Sequence, residues 1–418
     1  MGTEGFADMQ RRGLTRAACL LGLAVVTACG TGATGTASGA RTPATTPPPV
    51  TTSAPPLVVA VQVNTPRNRA TQTAAPPSRV LLIGLDGSAV ASAQFEAMPP
   101  AGYPNAVALL QPPVRAAAGG AFFVDRTGLI RRLARDGSVT AAGRIPLRSH
   151  GDPEVGFAVS PDGSQVAATV LTFPAWIPPA PGSNNPFGTL EAGGHWYLDF
   201  VTGPVGGQLT TVLSRDLGTA DAQDAHQPSP TEVVGWDDNG IVATLGTRLA
   251  TQQPTLSSHL WGTSLVNLAA DGGHGSPIGG PDCIPVDELQ NGTILCTNAS
   301  SDALSVRTST GTVLWSPAPH GSFNTGANLL SPDDSRLAAA GDVLWQTGGD
   351  TAIPKDAAGN QPLADGWVDA DHLVIRTGGD WPYPQTGDPE QNLRLITVSD
   401  PSRVQDLGVV AKFVGMLT

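Results

Sequence analysis

From residue 79 onward, short apolar runs alternate with turns rich in Asp, Asn, Gly and Pro. The segments AVSPDGSQVAATV (158–170), VGWDDNGIVATLG (234–246), ELQNGTILCTN (288–298), LLSPDDSRLAAAG (329–341) and GWVDADHLVIRT (366–377) each set such a turn between two Val/Ile/Leu-rich flanks. AAAGGAFFVD (116–125) does the same around a bare glycine turn. This chemistry predicts a β-hairpin in each segment. A second hairpin follows each one, at 129–143, 196–212, 264–278, 304–315, 343–353 and 393–408. Two hairpins in tandem make a four-stranded antiparallel meander, which is the blade of a β-propeller. The first-hairpin turns recur every ~40 to ~75 residues, as a blade repeat with loop insertions would.

Two fragments are left over. VLLIGLDGSAVAS (80–92) is a second hairpin with no first, and KFVGML (412–417) is an apolar run with no partner of its own. The pattern therefore predicts an all-β chain, a β-propeller of four-stranded antiparallel blades. Seven blades are expected, the last closed by both ends of the chain. A six-bladed ring with an N-terminal appendage is the alternative. Leu57–Val63 (LVVAVQV) is either a strand that joins this domain or an apolar patch in the segment before it.

Ser160-Pro161-Asp162-Gly163-Ser164 and Ser331-Pro332-Asp333-Asp334-Ser335, each followed by an apolar strand, resemble the blade signature of TolB-type propellers. The resemblance covers roughly 79–418, with two clear copies and four degenerate ones. It implies a propeller fold and a binding or scaffolding role at the cell envelope. It carries over no catalytic residue, because Pro and Asp-Gly in this turn shape the hairpin.

The N-terminus has a different pattern. Arg11, Arg12 and Arg16 precede the apolar run Ala17–Ala28, which ends at Cys29-Gly30. A basic region, a short apolar stretch and a small residue before the break make a signal peptide. The run is too short to span a bilayer. Val26-Thr27-Ala28-Cys29 resembles the bacterial lipobox, which implies a diacylglycerol on Cys29 and cleavage before it; a secretory signal with an incidental Cys29 is the alternative. The twin arginines leave Sec and Tat export both open. Residues 29–78 are rich in Thr, Ala, Pro and Ser and bury too little to fold. The expected organisation is thus a signal peptide (1–28), a lipidated cysteine and tether (29–78), and a propeller (79–418). The protein is expected on the membrane, lipid-anchored and facing outward.

Composition narrows the function. A net charge of −12 with only two lysines, Lys355 and Lys412, leaves no basic surface for phosphates and disfavours nucleic acid. The low-lysine, Ala/Gly/Thr-rich composition resembles that of high-GC actinobacterial proteins. Cys283 and Cys296 flank a turn at Asn291-Gly292, and in an oxidising compartment they are expected to form a disulfide. Two independent buried thiols are the alternative.

In a blade with strands a to d, the a–b and c–d turns lie on one face and the b–c and d–a loops on the other. The long insertions here are all b–c or d–a loops. They carry His150, Asp152, Trp176, Phe187, His195, His226, His259, His320, Trp381 and Tyr383, which form the candidate binding face. For Trp176 and Trp381 the plainer expectation is packing within their own loops. No metal-ligand spacing joins the histidines, and no cofactor is expected. Asp237/Asp238 and Asp369/Asp371 resemble paired carboxylates but sit in a–b turns, where Asp is expected for geometry. Trp236 and Trp367, before those turns, are expected to pack blades. No GxSxG, P-loop or dinucleotide fingerprint occurs. A non-enzymatic surface propeller that binds a protein or cell-wall glycan is the favoured reading. A propeller hydrolase or lyase with a central-channel, metal-dependent site is the alternative.

Overall fold

The computed structural model of the chain describes residues 54–63, 77–98, 113–182, 188–219, 231–245, 264–297, 303–317, 329–338, 343–346, 349–355, 359, 362–377 and 392–417. Among the described residues all regular structure is strand, and no helix is long and apolar enough to cross a membrane.

The strands form antiparallel sheets arranged as a ring, a β-propeller. From inside outward, the first sheet is Lys412–Leu417, Leu57–Gln62, Ser78–Gly84 and Ala89–Phe95. The second is Val114–Ala117, Gly120–Val124, Leu129–Leu133 and Val139–Arg144. The third runs Asp152–Val159, Gln165–Phe173, His195–Pro204 and Thr210–Thr219. Glu232–Asp237, Gly240–Leu245, Ser264–Leu268 and His274–Pro277 make the fourth. Ile284–Glu288, Ile294–Thr297, Leu304–Arg307 and Val313–Trp315 make the fifth. The sixth has three strands, Arg336–Ala338, Val343–Gln346 and Thr351–Ala352, with an isolated bridge from Leu330 to Leu337 in the inner position. The seventh is Pro362–Trp367, His372–Thr377, Asn392–Thr397 and Asp400–Val410. Six sheets are thus complete four-stranded blades, the number of the six-blade alternative, and the three-stranded sheet sits between two of them in chain order.

The hairpins expected from turn chemistry are pairs of neighbouring strands, except 329–341, whose first arm is only the isolated bridge from Leu330 to Leu337. The two leftover fragments meet in the first sheet, where both ends of the chain contribute. Lys412–Leu417 pairs antiparallel with Leu57–Gln62, which pairs in turn with Ser78–Gly84. This corrects the boundary expected at residue 79. The folded domain includes Leu57–Gln62, because Val58, Val59, Ala60 and Val61 are fully buried between two strands.

Blades stack face to face, so middle strands are apolar on both sides while outer strands face water. Gly120–Val124 is buried throughout, whereas Thr210–Thr219 is almost wholly exposed. The core lies at the interfaces between sheets. Phe122 and Ile130 of the second sheet meet Phe157 and Val170 of the third, and Val374 and Leu395 of the seventh meet Val58 and Phe413 of the first.

Hydrogen bonds cross each junction around the ring. Backbone pairs join Arg126 N–H to Glu96 O (2.8 Å), Ala118 N–H to Pro161 O (3.0 Å) and Asp238 N–H to Gln290 O (2.8 Å). Side chains serve the others. Val233 N–H donates to Thr169 Oγ1 (2.9 Å), Leu330 N–H to Asp287 Oδ2 (2.7 Å) and Phe413 N–H to Asp365 Oδ2 (3.1 Å), while Trp367 Nε1–H donates to Leu329 O (2.8 Å). These buried polar groups are thereby satisfied across blades as well as within them.

The SPDG turn shows why its residues are there. Asp162 accepts from Ser160 Oγ–H (2.5 Å) and Ser164 N–H (3.0 Å), and Gly163 adopts φ +71°. A Cβ at Gly163 would lie 2.2 Å from Ala118 O of the neighbouring sheet, so no side chain fits. In the second copy Asp334 takes this left-handed position (φ 54°), and its carbonyl accepts Trp315 Nε1–H at 2.7 Å. The Cys283–Cys296 disulfide is formed, tying the start of the fifth sheet's inner strand to its neighbour.

Candidate functional site

A cavity of about 560 Å³ lies at the centre of the ring, at the end carrying the a–b turns. That volume is in the range of small-molecule sites, roughly 300–1,000 Å³. Inner strands of four sheets build its floor. Asp287 and Glu288 come from the fifth, Leu330 from the sixth, Trp367 from the seventh, and Phe413 and Gly415 from the first. Asp238, Leu289, Gln290, Asn291 and Pro332 come from the turns and form the rim. Leu330, Trp367 and Phe413 are buried, while Asp238, Gln290, Asn291 and Pro332 are exposed. The site is thus a floor in which buried apolar side chains adjoin the carboxyl groups of Asp287 and Glu288, under a polar, water-facing mouth.

The backbone fixes this layout. Trp367 is held by its indole N–H on Leu329 O, and it packs in the core cluster shared by the fifth, sixth and seventh sheets. It is a blade-packing residue, as expected, and it also walls the cavity. Asp287 is consumed by structure, since Oδ2 accepts Leu330 N–H and Oδ1 accepts Glu288 N–H at 2.9 Å. Asp237, 3% exposed, shapes its turn by accepting Asn239 N–H (2.8 Å), and it also accepts Asn267 Nδ2–H at 2.9 Å. The geometric role expected for this aspartate is therefore real.

Asp237 has a second partner that the hairpin pattern does not reveal. Glu288 makes a carboxyl–carboxyl hydrogen bond with it across the junction of the fourth and fifth sheets. Burial holds the Glu288 carboxyl well above the usual carboxylate range, and the charge of Asp237, that hydrogen bond and the charge of Asp287 add to it. Glu288 Oε1 is shut off from solvent and has no hydrogen-bond partner. A carboxyl that keeps its proton beyond the ordinary range, in a cavity and with an unused acceptor, is a functional-site signature. No sequence feature marks it, because Asp287-Glu288 ends a strand inside ELQNGTILCTN and the preceding PVD.

The other end of the molecule gathers part of the loop-face set. His150 Nε2 lies 2.7 Å from Glu191 Oε2, and His195 Nδ1 lies 2.8 Å from Asp216 Oδ2. The hydrogen bond from His195 and that from Gly218 N–H hold the Asp216 carboxyl below its usual range. Asp152 Oδ2 accepts Trp176 N–H at 3.1 Å. Arg148 grips Asp199 through two bonds of 2.8 Å and lies 3.9 Å over the Tyr197 ring. Trp176 packs within its own loop, where a Cβ on Gly188 would lie 2.7 Å from its Nε1. His150, Asp152, Trp176 and His195 thus share the third sheet's loop end, each bonded to a neighbour. Cys29, Phe187, His226, His259, His320, Trp381 and Tyr383 lie outside the described residues. Among the described residues no group of three or more His, Cys, Asp or Glu is placed to hold a metal ion.

No family model and no curated protein sequence matches the chain. Among solved structures it is similar to a protein of unknown function from Bacteroides caccae, at 12% identity over 87% of this chain and 97% of that one, with a TM-score of 0.36. It is similar also to virginiamycin B lyase from Staphylococcus aureus, at 13% identity over 71% and 83% of the two chains, with a TM-score of 0.37. An oligogalacturonate lyase solved with manganese gives 8% identity over 77% and 68%, with a TM-score of 0.32. At such identities the likeness is one of chain architecture, and none of these activities passes to this protein.

Proposed function

We propose that this chain is a TolB-type propeller lipoprotein, anchored through Cys29 on the outer side of the membrane, that binds a protein or cell-wall glycan partner without chemically altering it. The lipobox-like Val26–Cys29 and the Pro/Thr-rich segment after it support the anchor. The central cavity supports the binding role and is the observation that carries it. Its polar mouth (Asp238, Gln290, Asn291) opens to water above buried apolar side chains (Leu330, Trp367, Phe413), so one group of a partner can be desolvated there while the rest stays outside.

The Glu288–Asp237 pair also supports a second reading, an enzyme in which Glu288 acts as a general acid. Against it, Asp237 is committed to Asn239 and Asn267 and is a poor base to complete the pair.

Binding of the full chain to soluble fragments of enzymatically digested cell wall tests the reading. Asp238→Ala combined with Gln290→Ala is expected to weaken binding by about tenfold or more, a loss on the order of 1.4 kcal/mol. The melting temperature should barely change, since both side chains are exposed. Undiminished binding by the double variant would place the site elsewhere. Fragments of altered mass after incubation would favour the enzyme.

A further inference from the structure

We propose that the junction between the fourth and fifth sheets is a proton-operated latch, closed while Asp237 and Glu288 hold one proton between them and opened when that proton passes to solvent. The latch goes beyond the binding role above and stands whether or not the cavity is the binding site.

Three observations place it. Asp237 ends the inner strand of the fourth sheet and Glu288 that of the fifth, so their carboxyl–carboxyl hydrogen bond spans the seam. Such a bond needs a proton, because two carboxylates offer acceptors alone. Next, Asp237 is 3% exposed and accepts Asn239 N–H and Asn267 Nδ2–H, which favour its ionised form and leave the proton on Glu288. Third, Glu288 Oε1 is sealed from solvent and has no donor, so ionising Glu288 buries a charge that nothing solvates. Just beyond the pair, Asp238 N–H donates to Gln290 O across the same seam at 2.8 Å. Both of these residues lie on the cavity rim, so the proton on the buried pair controls the shape of the mouth.

The groups facing Glu288 set the pH dependence. They are Asp237 and Asp238 from the fourth sheet and Asp287 on its own strand. The sixth, seventh and first sheets bring only Leu330, Pro332, Trp367, Phe413 and Gly415 to the cavity beside it, none of them ionisable. With no cation in that lining, nothing offsets the repulsion once both carboxyls are charged. Burial first, then the charge and hydrogen bond of Asp237 and the charge of Asp287, hold the Glu288 carboxyl well above the usual range. The folded protein thus binds this proton more tightly than the unfolded chain. The latch contributes fully below the ordinary glutamate value of about 4.3, and its contribution is lost as the pH rises through the raised value of the folded state.

Residue-resolved amide hydrogen exchange of the full chain from about pH 4 to about pH 8, corrected for the intrinsic pH dependence of exchange, tests the latch. Ala118 N–H, which donates to Pro161 O across the junction of the second and third sheets, is the internal control. Protection of Asp238 N–H is expected to fall about tenfold or more over that range relative to Ala118 N–H. Glu288→Gln keeps a donor toward Asp237 but carries no titrating proton, so in that variant the two amides should follow one profile. If the variant does not fold, the infrared spectrum of the wild type decides. At about pH 6, where ordinary carboxyls are ionised, it is expected to retain a protonated-carboxyl band. Absence of that band would overturn the latch, as would Asp238 protection that tracks Ala118 at every pH in the wild type. So would a Glu288→Gln variant that keeps the wild-type profile.

Discussion

A chain that stops at Ala411 is expected not to fold cooperatively. Residues 412–417 are the inner strand of the first sheet, and their removal strips the pairing partner from Leu57–Gln62. Phe413 and Leu417 are 1% and 2% exposed, so their loss empties the junctions on both sides of that sheet. Truncating one buried Phe alone costs about 3–5 kcal/mol. Two hydrogen bonds from other sheets also lose their partners, Asp365 to Phe413 N–H and Arg135 Nη2–H to Leu417 O (2.8 Å). Against a typical total stability of about 5–15 kcal/mol, the sum removes most or all of it. Near-ultraviolet circular dichroism across a urea titration reads this directly. A sharp transition near that of the full chain would show that the ring closes without the strand.

The substitution Asp365→Ala acts at the same seam through charge. Asp365 is 3% exposed and its Oδ1 pairs with Arg376 Nε at 3.0 Å, whose side chain is 7% exposed. Its other oxygen holds Phe413 N–H. Lys412 lies close by, its amine held below the usual range by burial and by the charge of Arg376, with Asp365 opposing the shift. Removing the carboxylate takes one counter-charge from a buried guanidinium and leaves an unpaired backbone donor and a less favoured ammonium. Breaking one half of a buried pair typically costs about 3–5 kcal/mol. The urea midpoint should fall accordingly, and Asp365→Leu with Arg376→Met should recover most of the loss. A midpoint unchanged by Asp365→Ala would mean that water reaches the seam.

Most of the architecture was legible because turn chemistry is local. Ser160-Pro161-Asp162-Gly163, Asn291-Gly292 and their counterparts specify hairpins within a few residues, and the order of hairpins gives the blades. The Cys283–Cys296 pairing follows from the same locality, since both residues flank one hairpin. Leu57–Gln62 was ambiguous because its pairing strands lie in other parts of the chain, one of them at the far end. The cavity was not legible for a related reason. Its walls come from five sheets that only the closed ring brings together, and Asp237 had a sufficient local explanation in its own turn. Histidines in long loops drew attention by residue type. Burial, the property that sets Glu288 apart, is not a property of the sequence at that position.

The most direct measurement of where this protein binds is amide hydrogen exchange of the full chain with and without soluble cell-wall fragments. The account predicts slowed exchange at Asp287–Asn291, Leu330 and Phe413–Gly415, around the cavity, and no change at His150–Asp152, Trp176–Ile177 and His195–Asp199. Protection confined to the latter segments, with the cavity amides unaffected, would contradict it and move the binding site to the loop face.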